Sequence, residues 1–160
     1  MHGAFMKEAT PMKTDVLLFT LLATSYEQHV GKRLVPVPLA GQAAADWLYY
    51  SAPFCVLAHN AENDPVFMYA NQAAQQRFGY SWEEITQLPS RLSASPQDRE
   101  ERQRFIDQVK RDGYSSGYSG VRVMKSGQCF LIQNATLWQL HDAQGHYQGQ
   151  AVLIPQSKDL

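Results

Sequence analysis

The chain has 160 residues, 44% hydrophobic and 18% charged, which suits one compact domain with its own core. A net charge of −1 and an isoelectric point near 6.5 exclude whole-molecule attraction to nucleic acid or an anionic membrane. No apolar run reaches the ~20 residues of a spanning helix.

Residues 1–12 have no clear period and read as a loose tail. The run Val16 to Ala23 follows Lys7 and Lys13 and superficially resembles a secretory leader. Glu8 and Asp15 spoil the basic segment, the run is short, and its continuation is amphipathic, so a helix in a cytoplasmic protein is expected instead. Thr14 or Asp15 caps that helix, and Phe19, Leu22, Tyr26 and Val30 fall on one stripe before Gly31 stops it. The stripe has two uses: covering the domain's own sheet, or meeting a partner subunit. Val35-Pro36-Val37-Pro38 is an extended connector, and Leu39 to Tyr50 reads as a second helix.

Phe54 to Ala58 and Val66 to Ala70 read as strands joined by a turn rich in Asn and Asp before Pro65. At this turn His59 and Asp64 read as turn formers, Asp64 holding backbone amides, rather than as a reactive pair. Asn71 is an N-cap, Gly79 ends its helix, and Ser81-Trp82-Glu83-Glu84 is a capping box. Leu88 to Ser93 is irregular. A further helix starts at Ser95-Pro96, carries Phe105, Ile106 and Val109 as its apolar seam, and ends at Gly113. The charges from Asp98 to Arg104 form opposite-sign pairs and read as a solvated face.

The last third alternates strand and turn: Tyr118 to Lys125, Cys129 to Leu140 and Tyr147 to Ile154. Period two puts Phe130, Ile132, Asn134, Thr136, Trp138 and Leu140 on one face of the long strand, expected to point toward the main helices. The opposite, fairly apolar face needs a cover, either the N-terminal helix or a second subunit. Cys55 and Cys129 lie in predicted strands and read as small buried hydrophobes in a reducing compartment.

Strand, turn, strand and then YANQAAQQRFGYSWEEI resembles the opening of PAS domains. DPVFMYANQAA, LPSRLSA, YSGVRV and NATLW, in that order, resemble the MEKHLA domain over roughly residues 14–153. That PAS-like family occurs as small stand-alone bacterial proteins and at the C-terminus of plant class III homeodomain–leucine zipper proteins. The resemblance implies a PAS-like α+β fold: a five-stranded antiparallel sheet with helices on one face plus an N-terminal helical extension. The expected divisions are a tail over 1–12, the extension over 13–52, the PAS-like domain over 53–155 and a tail over 156–160. It further implies a sensory or regulatory module that binds a small molecule, a protein partner or both, catalyses no reaction, and signals by association because no output domain is left over.

Metal chemistry fails on spacing: the five histidines are scattered, and neither CxxC, HxxxH nor HExxH occurs. Light-sensing PAS relatives carry a reactive cysteine where this chain has Pro89 to Ser93, and haem-binding ones a histidine on the helix that here runs from Asp98 to Asp112. Both anchors are missing, so the cofactor is unknown, with non-covalent flavin or another flat ligand left open. There is no GxSxG, no phosphate-binding glycine loop, and no basic surface run for nucleic acid.

The remaining candidate is the hollow that a PAS-like sheet forms with its helices. Asn134 and Thr136 are its expected polar groups, Arg122 and Arg91 a guanidinium clamp for an anionic ligand, and Tyr118 and Trp138 stacking surfaces. Each has a structural alternative: Asn134 bonding Arg122 or backbone, Arg91 pairing with an acid, the aromatics filling core. The competing functions are a dimerisation domain with a filled interior, using Phe19, Leu22, Tyr26 and Val30, and a small pocket enzyme with no identifiable reactive group.

Overall fold

Residues 13–160 are described by a computed structural model; the expected tail over 1–12 lies outside them. In chain order the elements are α1 (Val16–Val30), α2 (Gly41–Tyr50), β1 (Cys55–His59), β2 (Phe67–Ala70), α3 (Gln72–Phe78), α4 (Trp82–Ile85), 3-10 turns at Ser90–Ser93 and Pro96–Asp98, α5 (Arg99–Asp112), β3 (Tyr114–Val123), β4 (Cys129–His141), β5 (Tyr147–Ile154) and β6 (Gln156–Asp159). Five strands pair antiparallel throughout, as expected, and their order is β2-β1-β5-β4-β3.

Local chemistry sets the helix ends. Asp15 accepts from the amides of Leu17 (2.7 Å) and Leu18 (3.4 Å), and Gly31 closes α1 at φ 80°. Ser81 and Glu84 satisfy each other's backbone amides at 2.9 and 3.1 Å, the reciprocal capping box that opens α4. Asn71 does more than cap. Its Oδ1 accepts from Ala74 N and Val56 N, both at 3.1 Å, while Nδ2 donates to Leu48 O (3.1 Å) and Phe54 O (2.9 Å). One buried amide thereby joins α2, β1 and α3 with every donor and acceptor used.

The sheet carries a core on each face. On the outer face α1 and α2 bury Leu22, Tyr26 and Leu48 against Val56, Ala58, Trp138 and Leu140. On the inner face α3 and α5 bury Phe78 and Val109 with Leu57, Tyr118, Phe130, Ile132 and Leu137. The N-terminal extension is thus the outer cover of the chain's own sheet, anchored where Trp138 Nε1 donates to Leu22 O at 3.2 Å.

Three expectations need correction. The long strand does not keep one face inward. Asn134 takes φ 59°, and the β3–β4 register slips beside it, between Tyr118 and Gly120. The extra residue reverses the alternation: Phe130, Ile132, Ala135 and Leu137 face the inner core, whereas Trp138 and Leu140 face α1. Second, residues 156–160 are not a tail, because β6 pairs with β4. Thr136 opposite Leu153 and Gln133 opposite Gln156 are in one register, so β6 continues β5 past Pro155, which has no N–H to give. Backbone pairing and the Arg77–Asp159 ion pair (2.9 Å) hold this segment, whose side chains are exposed, so no apolar alternation announced it. Third, β3 starts at Tyr114, ahead of the expected Tyr118, because a bulge around Gly117 (φ 77°) lets the strand run on through Ser115 and Ser116.

Candidate functional site

Between α5 and the inner sheet face lies a small, partly open cavity of about 40 Å³. Leu57, Phe67, Phe78, Ile132, Leu137 and Ile154 form its apolar wall; His59, Ser93, Arg102, Arg122 and Gln150 are its polar members. At 10–15 Å³ per water-sized centre, this is room for roughly three waters or the end of a small organic molecule.

Each polar side chain is placed by its element. On β3, Tyr118, Gly120 and Arg122 share the inward face. Arg122 is 6% exposed; its Nη2 donates to Tyr118 Oη at 2.8 Å and its Nη1 to Val121 O at 3.0 Å. The Ala94–Arg122 bridge draws the 3-10 turn across the edge of the sheet, which brings Ser93 to the cavity. Arg102, 9% exposed, projects from α5 one turn before Ile106, and the two share a buried stripe with Val109. Gln150 on β5 ties α5 down by donating Nε2 to Ile106 O at 3.0 Å, while its Oε1 has no hydrogen-bond partner among the described residues.

The electrostatics of this wall are one-sided. Among the described residues no Asp or Glu lines the cavity. Burial, and then the nearby Arg122 charge, lower Arg102 to about 10, so it stays cationic at neutral pH. Burial pushes His59 down to about 4, with Arg102 and Lys110 adding to the shift against the hydrogen bond to Asn60. His59 is therefore neutral, and because a carbonyl only accepts, its Nδ1 carries the proton and donates to Asn60 O at 2.9 Å. Outside the cavity, a groove of about 330 Å³ runs along the 60–65 turn; His59, Arg102 and Ile106 border both spaces.

Of the residues expected in the pocket, Arg122 lines the cavity, and Tyr118 is buried in the inner core and accepts from Arg122 without itself being part of the lining. The other four stand elsewhere. Arg91 is at the surface, forking onto Asp64 with bonds of 3.0 and 3.3 Å, and borders only the outer groove. That pairing also takes Asp64 from its expected turn role; Asn60 Oδ1 holds the turn instead, accepting from Glu62 N (3.3 Å) and Val66 N (3.0 Å). Asn134 is exposed, its backbone making the bulge. Thr136 shares an exposed hydroxyl contact with Ser116 at 3.3 Å, and Trp138 sits in the outer core. The stripe Phe19, Leu22, Tyr26 and Val30 packs on the chain's own outer core, with Leu22 and Tyr26 buried there.

Sequence reasoning missed Arg102, His59, Ser93 and Gln150. For Arg102 a signal exists: positions 102, 106 and 109 follow helical spacing, so the apolar seam extends back to it. Its place in a run of charges hid this.

The family model of the MEKHLA domain matches residues 16–158, nearly all of the described chain. The chain belongs to the MEKHLA domain family. Among curated proteins none matches it. Solved structures similar to this MEKHLA domain are PAS and light-oxygen-voltage domains. The PAS domain of a protein from Colwellia psychrerythraea is 16% identical with a TM-score of 0.62, over 74% of this chain and 95% of that one. A PAS domain from a two-component sensor histidine kinase is 18% identical with a TM-score of 0.57, over 71% and 93%. A light-oxygen-voltage domain described with a flavin analogue is 17% identical with a TM-score of 0.56, over 69% and 79%. These likenesses establish the PAS fold of the MEKHLA domain. No helix among its described residues is long and apolar enough to cross a membrane.

Proposed function

We infer that this MEKHLA domain is a sensory module that takes a small molecule into the hollow between α5 and the sheet, performs no chemistry on it, and passes the bound state to a protein partner. The supporting observation is the cavity itself: an otherwise close-packed inner core keeps about 40 Å³ open and turns buried polar groups toward it. A module that served only as a packed interaction domain has no use for that space.

The wall offers little for catalysis. His59 is neutral with Nδ1 committed to Asn60 O, and burial raises the nearby inner-core thiol of Cys55 to about 11, far from a nucleophilic thiolate at neutral pH. The PAS fold of the sensor histidine kinase relative is in keeping with a sensing role.

Native mass spectrometry of freshly purified protein tests the reading. A co-purifying small molecule is expected with the wild type and lost in Val152→Phe, which puts a larger side chain into the cavity wall. Retention of the same molecule by the filled variant rejects the hollow as the site.

A further inference from the structure

Arg102 from α5 and Arg122 from β3 are both about nine-tenths buried or more and line one cavity with no carboxylate among its described residues. The ion pairs among the described residues all lie elsewhere. Arg122 uses one N–H on the Tyr118 hydroxyl and one on the Val121 carbonyl, and the Arg102 guanidinium has no ion-pair partner among the described residues. Two like charges facing one small, mostly apolar space are costly to hold together, and an arriving anion would pair with both at once. The depressed proton affinity of Arg102, caused by burial and by Arg122, agrees with that geometry.

The remainder of the wall narrows the class. A phosphate dianion needs donors on all sides, whereas most of this surface is aliphatic and aromatic. A carboxylate is flat and suits the guanidinium fork, and it leaves a short carbon tail for the apolar side. The space corresponds to about four or five non-hydrogen atoms.

We propose that the hollow is a receptor site for the carboxylate of a small organic acid, held between Arg102 and Arg122 with its carbon tail against Leu57, Phe67 and Ile132. This rests on the reading that the hollow takes a ligand, and adds the ligand's chemical class.

The test is calorimetric titration of the full chain with acetate, propionate and butyrate, with propionamide and inorganic phosphate as comparisons. At least one carboxylate binds and raises the melting temperature, and propionamide and phosphate do not. Arg102→Met and Arg122→Met each weaken that binding by roughly 10- to 100-fold, the worth of a charge-assisted contact. Arg102→Met also leaves the ligand-free melting temperature unchanged or raised, since it removes an uncompensated charge; Arg102→Gln serves if the methionine variant fails to fold. Carboxylate binding unaltered by both substitutions overturns the proposal, as does binding of phosphate alone. If carboxylates fail but a neutral molecule co-purifies and is lost in Val152→Phe, the acid assignment falls while the sensory reading stands. If no molecule co-purifies and no probe binds, both fall.

Discussion

Arg122 reaches along β3 to donate to the Tyr118 hydroxyl at 2.8 Å, and Gly120 lies between them with no side chain. A Cβ at position 120 would stand 2.5 Å from Tyr118 Oη and 2.9 Å from its Cζ. Tyr118 has little room to yield, being buried with its ring centroid 4.3 Å from that of Phe105. Gly120→Ala is expected to cost about 1–3 kcal/mol by overpacking. In a Tyr118→Phe background the same change costs less, because the closest atom is gone. Urea unfolding of the two singles and the double measures this; strictly additive costs would deny the contact.

Asn71 supplies a second test. Asn71→Asp keeps an acceptor for the amides of Val56 and Ala74 but turns an oxygen toward the carbonyls of Leu48 and Phe54. With the site fully buried, a loss of about 3 kcal/mol or more is expected. A urea midpoint within experimental scatter of the wild type would contradict the assigned amide orientation.

Position 134 separates backbone from side chain. Asn134 is exposed at φ 59°, so Asn134→Gly is expected within a few tenths of a kcal/mol of wild type, whereas Asn134→Val costs about 1–2 kcal/mol because a β-branched residue resists the left-handed region. Equal stability of the two variants would mean that the bulge is not where β4 reverses its faces.

His59 sets a pH dependence. Its ordinary value of 6.5 applies to the unfolded chain, and burial takes it to about 4 in the fold. Between those values the unfolded state holds a proton that the native state lacks, so stability rises with pH across this window and is lost on acidification through it. The full effect is roughly 3 kcal/mol, one unit being worth about 1.4. Chemical denaturation at pH 4, 5, 6 and 7 should give a shallower profile for His59→Gln than for the wild type; parallel profiles would remove His59 as the cause.

Much of this architecture is legible in the residues because its signals are local. Asp15, Asn71 and the Ser81–Glu84 box cap where their chemistry says, and Gly31, Gly79 and Gly113 end helices in the conformation that glycine permits. The site was less legible for two physical reasons. Period two assumes unbroken alternation, and a single left-handed residue at Asn134 moved Thr136 and Trp138 away from the expected pocket. Arg102 was hidden by composition, since a charge within a charged run looks solvated even when helical spacing carries it inward. For Arg91 the structure takes the second of its two expected roles, pairing with an acid, but that acid, Asp64, is 27 residues away in sequence and nothing local names it.

By ordinary strand alternation Leu137 and Trp138, neighbours in β4, open onto different compartments, and the reversal at Asn134 decides which of them faces inward. Leu137 forms part of the inner chamber's lining, and Trp138 grips the backbone of α1 through its indole. If the proposed ligand enters the chamber, the indole proton of Trp138, watched by NMR, is expected to shift on its addition, because the two side chains share one peptide unit. An unmoved signal in the presence of a bound ligand would deny that link.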